Sequence, residues 1–296
     1  MSVCAVHSCR GVGVENLVSD ISTMVFRSRE IRNSGKTVGL VPTMGALHEG
    51  HLSLVDIARQ RSDFVVVSVY VNPTQFCPGE DFNTYPRNLE DDIYKINARG
   101  GDVVFAPDTG SVYPEGYSTF VIVEGLTDNL CGRSRPHHFR GVTTVVAKLF
   151  NIVRPHIAVF GQKDAQQLAV IRKMVKDLNY DIEIVAAPIV REKDGLAMSS
   201  RNAYLSGEER TQAPVLYQSL LEAKELVLKG EIDAASIKNR VMYVLESAPL
   251  AIVEYVEIVE PDTIRPVDTI EDGGLLAIAV RFGKTRLIDN LIIKAG

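Results

Sequence analysis

The stretch "VPTMGALHEGHLSLV", residues 41–55, joins an apolar run to an apolar-periodic segment through a glycine-containing turn with two histidines. If the second half is helical, His48 and His51 lie on one face of its first turn, where unpaired N–H groups and the positive end of the helix dipole favour an anion. Gly50 between them permits close approach of the backbone to a ligand. The stretch therefore predicts a strand, a turn and a helix around a phosphate, with a solvated helix start as the alternative.

The chain up to about residue 190 alternates apolar runs with segments of helical periodicity. The runs "TVGLV", "FVVVSVYV", "DVVFAP", "HIAVF" and "DIEIVAAPIV" predict strands at residues 37–41, 64–71, 102–107, 156–160 and 181–190. Helical periods run through residues 54–58, 89–96, 145–153 and 168–178. This alternation predicts an α/β fold, a Rossmann-like parallel sheet with helices on both faces.

A polar, turn-rich segment follows residue 190, and the pattern beyond it is different. Two helical periods, residues 208–229 and 233–247, precede the runs "IVEYVEIVE", "LLAIAVRF" and "TRLIDNLII". The last two runs are joined by "GKT" and predict a hairpin. We therefore expect two domains, a larger one over residues 1–189 and a smaller C-terminal α+β domain over residues 190–296.

The composition narrows the class of protein. The chain has 296 residues, 46% of them apolar, with a formal net charge of -5 and a pI near 5.7. This acidic balance argues against a nucleic-acid partner, because nucleic-acid-binding surfaces gain affinity from clustered Lys and Arg. No apolar run approaches the roughly 18 to 20 residues that span a bilayer, and the N-terminus lacks a signal peptide's apolar core, so we expect a cytoplasmic protein without a membrane partner. Cys4, Cys9, Cys77 and Cys131 are scattered and are expected to be free thiols.

Polar clusters follow four of the predicted strands at their carboxyl ends, where open parallel sheets bind ligands. The clusters are residues 44–51, "NPTQF" (72–76), "GQKDAQQ" (161–167) and "MSSRN" (198–202). Lys163 could reach a phosphate as a point charge, and Arg201 could bind one through two N–H groups. Each cluster also has an alternative without a ligand, namely a strand-ending turn, a helix cap or a solvated loop. Their shared position favours one common site.

Six motifs together resemble one family. "PTMGALHEGH", "VNPTQF", "YPRNLEDD", "RPHHFRGVTTVV", "FGQKDAQQ" and "DGLAMSSRN" follow the order and spacing of the pantothenate synthetases, the pantoate–β-alanine ligases of the HxGH nucleotidyltransferase superfamily. The similarity extends over nearly the whole chain. It implies an enzyme that condenses (R)-pantoate with β-alanine using ATP, through a pantoyl-adenylate, and releases AMP and pyrophosphate. The product would be pantothenate, in coenzyme A biosynthesis.

The resemblance also implies which residues act on the substrates. The implied catalytic residues are His48, His51 (the proton donor), Lys163, Ser199, Ser200 and Arg201. The implied ATP-binding set is Met44, Gly45, Ala46, Leu47, His48, Glu49, Gly50, His51, Gly161, Gln162, Lys163, Asp164, Val190, Met198, Ser199, Ser200 and Arg201. Gln75 and Gln167 would hold pantoate, with Gln75 also near the incoming amine, because an amide can donate to one oxygen and accept from a hydroxyl.

A magnesium ion, a homodimer and a lid are implied in the same way. Asp91 and Asp92 match carboxylates associated with Mg2+, but a third position is Lys95, which cannot ligate the ion and should pair with one of them across a helical turn. Phosphate and water would then hold the ion. The apolar, β-rich segment "STFVIVEGL" (118–126) is expected to supply a sheet edge for pairing in the dimer. The C-terminal domain, hinged near residue 190, is expected to close over the site.

Three other functions remain open from the residues themselves. An adenylyltransferase that moves AMP onto a phosphate shares the HxGH motif but gives no reason for Gln75 and Gln167. A non-catalytic nucleotide sensor would need no such pair of substrate-binding amides. A tRNA-binding ligase would need an anticodon-binding domain, which this short acidic chain does not offer. Measuring AMP release with pantoate and β-alanine separates all three from the ligase.

Overall fold

The structure is a computed structural model that describes residues 16–294, in which the strands form a six-stranded and a three-stranded sheet. The strands are β1 (Leu17–Val18), β2 (Val38–Thr43), β3 (Phe64–Val69), β4 (Val103–Phe105), β5 (Ile157–Gly161), β6 (Glu183–Ala187), β7 (Ala251–Val259), β8 (Gly274–Phe282) and β9 (Thr285–Ile293). The helices are α1 (Ile21–Asn33), α2 (Glu49–Arg61), α3 (Leu89–Ala98), α4 (Thr109–Val112), α5 (Leu130–Ser134), α6 (His138–Val153), α7 (Ala165–Asp177), α8 (Gly207–Gln212), α9 (Val215–Leu228) and α10 (Ala234–Leu245). Short 3₁₀ turns span Pro73–Gln75, Gln162–Asp164 and Ser200–Tyr204.

The larger sheet is entirely parallel, with the strand order β1-β4-β3-β2-β5-β6. From β2 the chain builds outward through β3 and β4 on one side, and then returns to build β5 and β6 on the other. The direction of winding therefore reverses between β2 and β5. Open parallel sheets bind ligands at such a reversal, in the crevice outside the carboxyl ends of the strands.

Helices cover both faces of this sheet, as predicted. In β3, Val65, Val66 and Val67 are all fully buried, which requires packing partners on both sides of the strand. One face packs on α2 and α3 through residues such as Val55 and Ile96, and the opposite face packs on α1, α6 and α7. The strands consequently read as continuous apolar runs, and this is why they could be predicted from the sequence.

The smaller sheet is antiparallel, in the order β7-β8-β9, and forms a separate unit with α9 and α10. In β8, Ile278 and Val280 belong to the core shared with these helices, whereas Ala277 and Ala279 face the core of the parallel-sheet unit. Residues 283–284 connect β8 to β9, which confirms the predicted hairpin. The fold class is therefore confirmed, while the domain boundary at residues 189 and 190 stays a prediction.

The helix expected over residues 208–229 is divided into α8 and α9. Pro214 lies at the junction, and a proline has no N–H to donate to the preceding helical turn. Helix α1 has no counterpart among the predicted elements. It buries only Met24 and Ser28, so it carries too few apolar positions for a clear helical period.

Residues 118–126, which are expected to supply a sheet edge for pairing between copies, belong to no strand within the chain, and their pairing in a dimer stays a prediction. The Val121 N–H donates to Thr144 Oγ1 at 3.0 Å, and the Val121 carbonyl accepts from Thr143 Oγ1 at 2.6 Å. Side chains of α6 thus take the place of a partner strand. Within the chain, the apolar alternation of this segment reflects its packing on α6.

Cys77 and Cys131 are free thiols, as predicted, whereas Cys4 and Cys9 lie outside the described residues. Among the helices of residues 16–294, none is both long and apolar enough to cross a membrane.

Candidate active site

The two histidines of residues 41–55 cap the start of α2. His48 is the N-cap, and its Nδ1 accepts a hydrogen bond from the Gly50 N–H at 3.1 Å. His51 Nδ1 accepts from the His48 N–H at 3.5 Å, and the two ring centroids lie 4.1 Å apart. Because each Nδ1 is an acceptor, each neutral ring carries its proton on Nε2 and can donate it to a ligand. A Cβ at Gly50 would lie 2.9 Å from the His48 ring, so this glycine makes room for the imidazole itself.

Both imidazoles are neutral at physiological pH. Burial lowers the pKa of His51 to about 3, with smaller contributions from His48 and Lys163. Burial, followed by the charge of Lys163, lowers the pKa of His48 to about 4. The pair therefore offers fixed N–H donors and not positive charges. A proton transfer from His51 would require a bound anion to raise its pKa, and that role stays a prediction.

The buried carboxylate of Asp92 hydrogen-bonds to the turn that precedes α2. Gly45 and Ala46 have positive φ values of 82° and 51°. Asp92, which is 1% exposed, accepts from the Ala46 N–H at 3.0 Å and from the Leu47 N–H at 2.8 Å. A Cβ at residue 45 would lie 2.8 Å from Asp92 Oδ2, so only glycine fits there. Asp92 therefore fixes the shape of the turn that leads to His48.

The carboxylates expected to hold magnesium make other contacts. Asp92 bonds the turn, and Asp91 pairs with Lys95 at 2.7 Å, which confirms the pairing predicted for this lysine. Lys95 Nζ also donates to the Leu47 carbonyl at 2.8 Å. Within residues 16–294, no three His, Cys, Asp or Glu side chains gather as a metal-binding group. These residues do not by themselves complete a magnesium site, and the metal role of Asp91 and Asp92 stays a prediction.

A cavity of about 230 Å³ lies outside the carboxyl ends of β2 and β5, where the winding reverses. The implied site residues that line it are Met44, His48, Gly50, His51, Gln75, Gly161, Lys163, Asp164, Gln167, Val190, Met198, Ser199, Ser200 and Arg201. Residues from four separate polar clusters of the sequence thus meet around one cavity.

Five members of the implied ATP-binding set are not part of the cavity wall. Residues 45–47 form the supporting turn, and Ala46 contributes a carbonyl that accepts from Ser200 Oγ at 3.2 Å. Glu49 pairs with Arg99 at 2.6 Å on the helix surface. The Gln162 amide donates to Asn290 Oδ1 at 3.3 Å. Contact of these five residues with a nucleotide stays a prediction.

One part of the cavity combines two amides with an apolar wall. Gln75 and Gln167 line it together with apolar side chains of α6 and β5, which are Val142, Val145, Val146, Leu149 and Phe160. Such a wall accepts methyl groups, and the two amides can bond hydroxyl or carboxylate oxygens. This part of the cavity suits a small branched hydroxy acid.

Asn72 orients Gln75, and sequence reasoning did not assign it a role. Asn72 is 1% exposed, and its Nδ2 donates to Gln75 Oε1 at 3.0 Å and to the Gly141 carbonyl at 3.1 Å. Among the described residues, the Gln75 NH2 group then meets only the weak acceptor Met44 Sδ, at 3.0 Å. It is therefore available to a ligand oxygen. The "NP" dipeptide signalled a turn, but a turn signal does not show where the Asn side chain points.

Three cationic side chains border the cavity, and two of them are already paired. Arg201 binds Asp81 through two contacts of 2.8 and 3.0 Å. Arg135, which sequence reasoning missed, binds Glu80 through contacts of 2.6 and 2.7 Å. Lys163 forms no ion pair with any residue in the described part of the chain. Asp81 engages Nε and Nη2 of Arg201, so a phosphate would bind the Nη1 side of this guanidinium or displace Asp81.

The smaller unit contacts the site at the backbone of residues 162–163, which lies beside the cavity. Asn290 on β9 donates through Nδ2 to the carbonyls of Gln162 and Lys163, at 3.0 and 2.9 Å. Arg191, just beyond β6, forms a two-fold ion pair with the buried Asp289 at 2.6 and 2.9 Å. A cleft of about 1130 Å³ between the units shares Lys163 with the smaller cavity. A ligand in the cavity would lie between the two units.

The fold and the site define an α/β enzyme of the HxGH type, with imidazole donors at a helix start and a free lysine beside one cavity. The family described as pantoate-beta-alanine ligase matches residues 16–292. The chain belongs to this family.

Named relatives agree with this assignment. Over 277 residues the chain is 58% identical to pantothenate synthetase of Acetivibrio thermocellus, covering 94% of this chain and 98% of the relative. A crystal structure of pantothenate synthetase from Thermus thermophilus is 46% identical, with a TM-score of 0.89 over 94% of this chain and 99% of that one. Pantoate-beta-alanine ligase from Francisella tularensis, complexed with beta-gamma ATP and beta-alanine, is 32% identical, with a TM-score of 0.76 over 93% and 97%. The expected family and enzyme class are confirmed.

Proposed function

We propose that this chain uses ATP to condense pantoate with β-alanine through a pantoyl-adenylate, releasing AMP and pyrophosphate. The observation that supports this proposal most strongly is one cavity lined by imidazole donors, a lysine and two amides beside an apolar wall. The name of the family supports this proposal, as do the beta-gamma ATP and beta-alanine in the Francisella tularensis complex. An adenylyltransferase or a nucleotide sensor would leave the paired amides without a purpose, and a tRNA ligase would need an anticodon-binding domain.

The first step is attack by a carboxylate oxygen of pantoate on the α-phosphorus of ATP. A new P–O bond forms, the P–O bond to pyrophosphate breaks, and negative charge grows on the leaving oxygens. His48 and His51 would donate to the phosphates through Nε2, and Lys163 would add a positive charge. Ser199, Ser200 and Arg201 would close over the phosphates from the loop after β6.

The second step is attack by the uncharged amine of β-alanine on the carboxyl carbon of the adenylate. The C–N bond forms, the C–O bond to AMP breaks, and the nitrogen loses a proton. Gln75 and Gln167 would hold the pantoyl group, with its two methyl groups against the apolar wall. Water must be excluded meanwhile, because it would hydrolyse the mixed anhydride.

We further propose that residues 190–296 form a lid over a nucleotide- and pantoate-binding domain, residues 1–189. The Arg191–Asp289 ion pair ties the start of this segment to its last strand, so the segment would move as one piece from a hinge just before residue 191. In the closed form, Asn290 would hydrogen-bond to the backbone carbonyls of residues 162–163.

Magnesium and location are also proposals. Mg2+ would accompany ATP, held by phosphate and water oxygens, because the described carboxylates do not complete a site for it. A cytoplasmic location is supported by the free thiols of Cys77 and Cys131.

The proposed function predicts a partial reaction. With labelled pyrophosphate and ATP, the enzyme should exchange label into ATP when pantoate is present and β-alanine is absent. An enzyme that adenylates another substrate would show no dependence on pantoate. Exchange that strictly required β-alanine would defeat the two-step mechanism, and release of ADP and phosphate would indicate an acyl phosphate instead.

We propose that the chain forms a homodimer through residues 118–126, and sedimentation at micromolar concentration should give twice the chain mass of 32.5 kDa. Ile122 in this segment is 62% exposed. Burial of this side chain between copies should make Ile122→Asp shift the protein toward monomer. The matched control is Ile292→Asp, at a side chain that is 51% exposed on the smaller sheet. A monomeric parent protein, or equal effects of the two variants, would contradict this assembly.

A further inference from the structure

A half-buried tyrosine lies behind the amide that is proposed to bind pantoate. Tyr113 follows α4, and its hydroxyl donates to Asn72 Oδ1 at 2.9 Å and lies 3.1 Å from Thr74 Oγ1. Burial raises the pKa of Tyr113 to about 12, so the hydroxyl keeps its proton over the physiological range. The side chains of Asn72 and Gln75 lie between this hydroxyl and the proposed position of pantoate, so the proposed steps give the hydroxyl no direct role.

The contacts of Asn72 determine which end of its amide points where. The Gly141 carbonyl can only accept, so the nitrogen end faces it, at 3.1 Å. The Thr74 N–H can only donate, so the oxygen end faces it, at 3.3 Å. Asn72 Nδ2 then also donates to Gln75 Oε1, which turns the Gln75 NH2 group away from Asn72. The orientation of the Asn72 amide is thereby passed to the amide of Gln75.

Tyr113 holds the oxygen end of Asn72 from outside the turn. The other donors to Asn72 Oδ1 are the N–H and hydroxyl of Thr74, at 3.3 and 2.9 Å, and both belong to the same short turn as Gln75. They move with this turn and cannot fix it to the rest of the protein. On the opposite side a Cβ at Gly141 would lie 2.3 Å from the Thr74 carbonyl oxygen, so α6 packs directly on the turn. Arg135 Nη2 and His138 Nδ1 also lie 3.3 and 2.7 Å from the Gln75 carbonyl oxygen. The turn is therefore held by α6 and Arg135 on one side and by Tyr113 on the other.

We propose that Tyr113 is a positioning residue that acts through Asn72 to present the NH2 group of Gln75, and not its oxygen, to pantoate. Without this constraint the Gly141 carbonyl and the Thr74 N–H still set which end of the Asn72 amide faces each of them, but Asn72 and the turn can shift. Such a shift loosens the hydrogen bond that holds Gln75 Oε1, and Gln75 can then turn its carbonyl oxygen toward the substrate. A carbonyl oxygen would repel the pantoate carboxylate, whereas the NH2 group donates to it. This inference rests on the proposed binding of pantoate by Gln75.

The substitution Tyr113→Phe isolates the hydroxyl, because the ring keeps its edge-on contact with Tyr117, with centroids 5.1 Å apart. Loss of one net hydrogen bond predicts a weakening of pantoate binding by roughly threefold to tenfold. The dissociation constant of ATP should be unchanged, because the phosphate-binding residues lie on other elements. Titration calorimetry measures both constants without requiring turnover. Tyr117→Phe is the matched control, and it should change neither constant.

A double-variant cycle with Gln75→Ala tests the route of the effect. If Tyr113 acts through Gln75, then Tyr113→Phe should weaken pantoate binding in the parent protein and have no further effect in the Gln75→Ala background. An equal loss in both backgrounds, or no loss in the parent protein, would overturn the inference while leaving the proposed function intact. Unchanged pantoate binding in Gln75→Ala alone would instead remove the proposed role of Gln75. A thermal melt of each variant separates these outcomes from loss of the fold.

Discussion

Replacing His51 by alanine is expected to slow the pantoate-dependent exchange of pyrophosphate into ATP by about 10²- to 10³-fold, the usual effect of removing one preorganised donor. His51 is kept neutral by burial, and its Nε2–H has a fixed direction because Nδ1 accepts from the backbone. A donor held in this way stabilises developing negative charge without rearrangement in the transition state. Measured single-turnover rates should fall as much as the exchange rate.

His51 also caps α2, and this second role calls for matched variants. Asparagine can keep an acceptor near the Nδ1 position but cannot reach the Nε2 position, whereas glutamine can place an N–H near Nε2. We therefore expect His51→Asn to be as slow as His51→Ala and His51→Gln to recover part of the rate. If the exchange rate followed the melting temperature across all three variants, His51 would be a helix cap alone.

Replacing Lys163 by alanine should lower the rate of adenylate formation by about 10²- to 10³-fold, as expected for an electrostatic contact to the transferring group. Lys163 borders the cavity and forms no ion pair among the described residues, so its charge remains available to a ligand. The apparent KM for pantoate should change little. Lys163→Arg keeps the charge with a different geometry and should recover only part of the rate.

The variant Gln167→Ala provides the contrast for Lys163→Ala. Because Gln167 is proposed to hold pantoate, its loss should raise the apparent KM for pantoate more than the KM for ATP. Steady-state kinetics with each substrate varied in turn measure both. The same kinetic profile for Gln167→Ala and Lys163→Ala would show that this division of roles is wrong.

The sequence predicted the elements whose pattern is local. Buried parallel strands such as β3 are continuous apolar runs, and their order along the chain places the polar clusters at one edge of the sheet. The residues that contact the site side chains lie far from them in sequence, so no local sequence pattern predicts these contacts. Arg201 meets Asp81 across 120 positions of sequence, and Asn290 meets Lys163 across 127.

The neighbouring carboxylates Asp91 and Asp92 belong to one motif but make different contacts. Adjacent positions of a helix point in different directions, so two neighbouring residues do not share one face. In α3, Asp92 points inward to the turn at residues 46–47, and Asp91 pairs with Lys95 on the outside. The spacing alone therefore indicates that the two carboxylates do not meet on one face of α3.

Arg135 and Arg201 border the cavity with carboxylates already bound, so an anion that takes over the same N–H groups exchanges with a counter-ion. An anion that binds the same N–H groups competes with Glu80 or Asp81, each of which offers two planar oxygens to a guanidinium. Chloride and other anions that accept at a single point would not replace both hydrogen bonds that a carboxylate makes to a guanidinium. A triphosphate or a carboxylic acid can match the two-oxygen geometry and add further contacts in the cavity. We therefore expect Glu80 and Asp81 to disfavour the binding of single-point anions such as chloride to these two guanidinium groups.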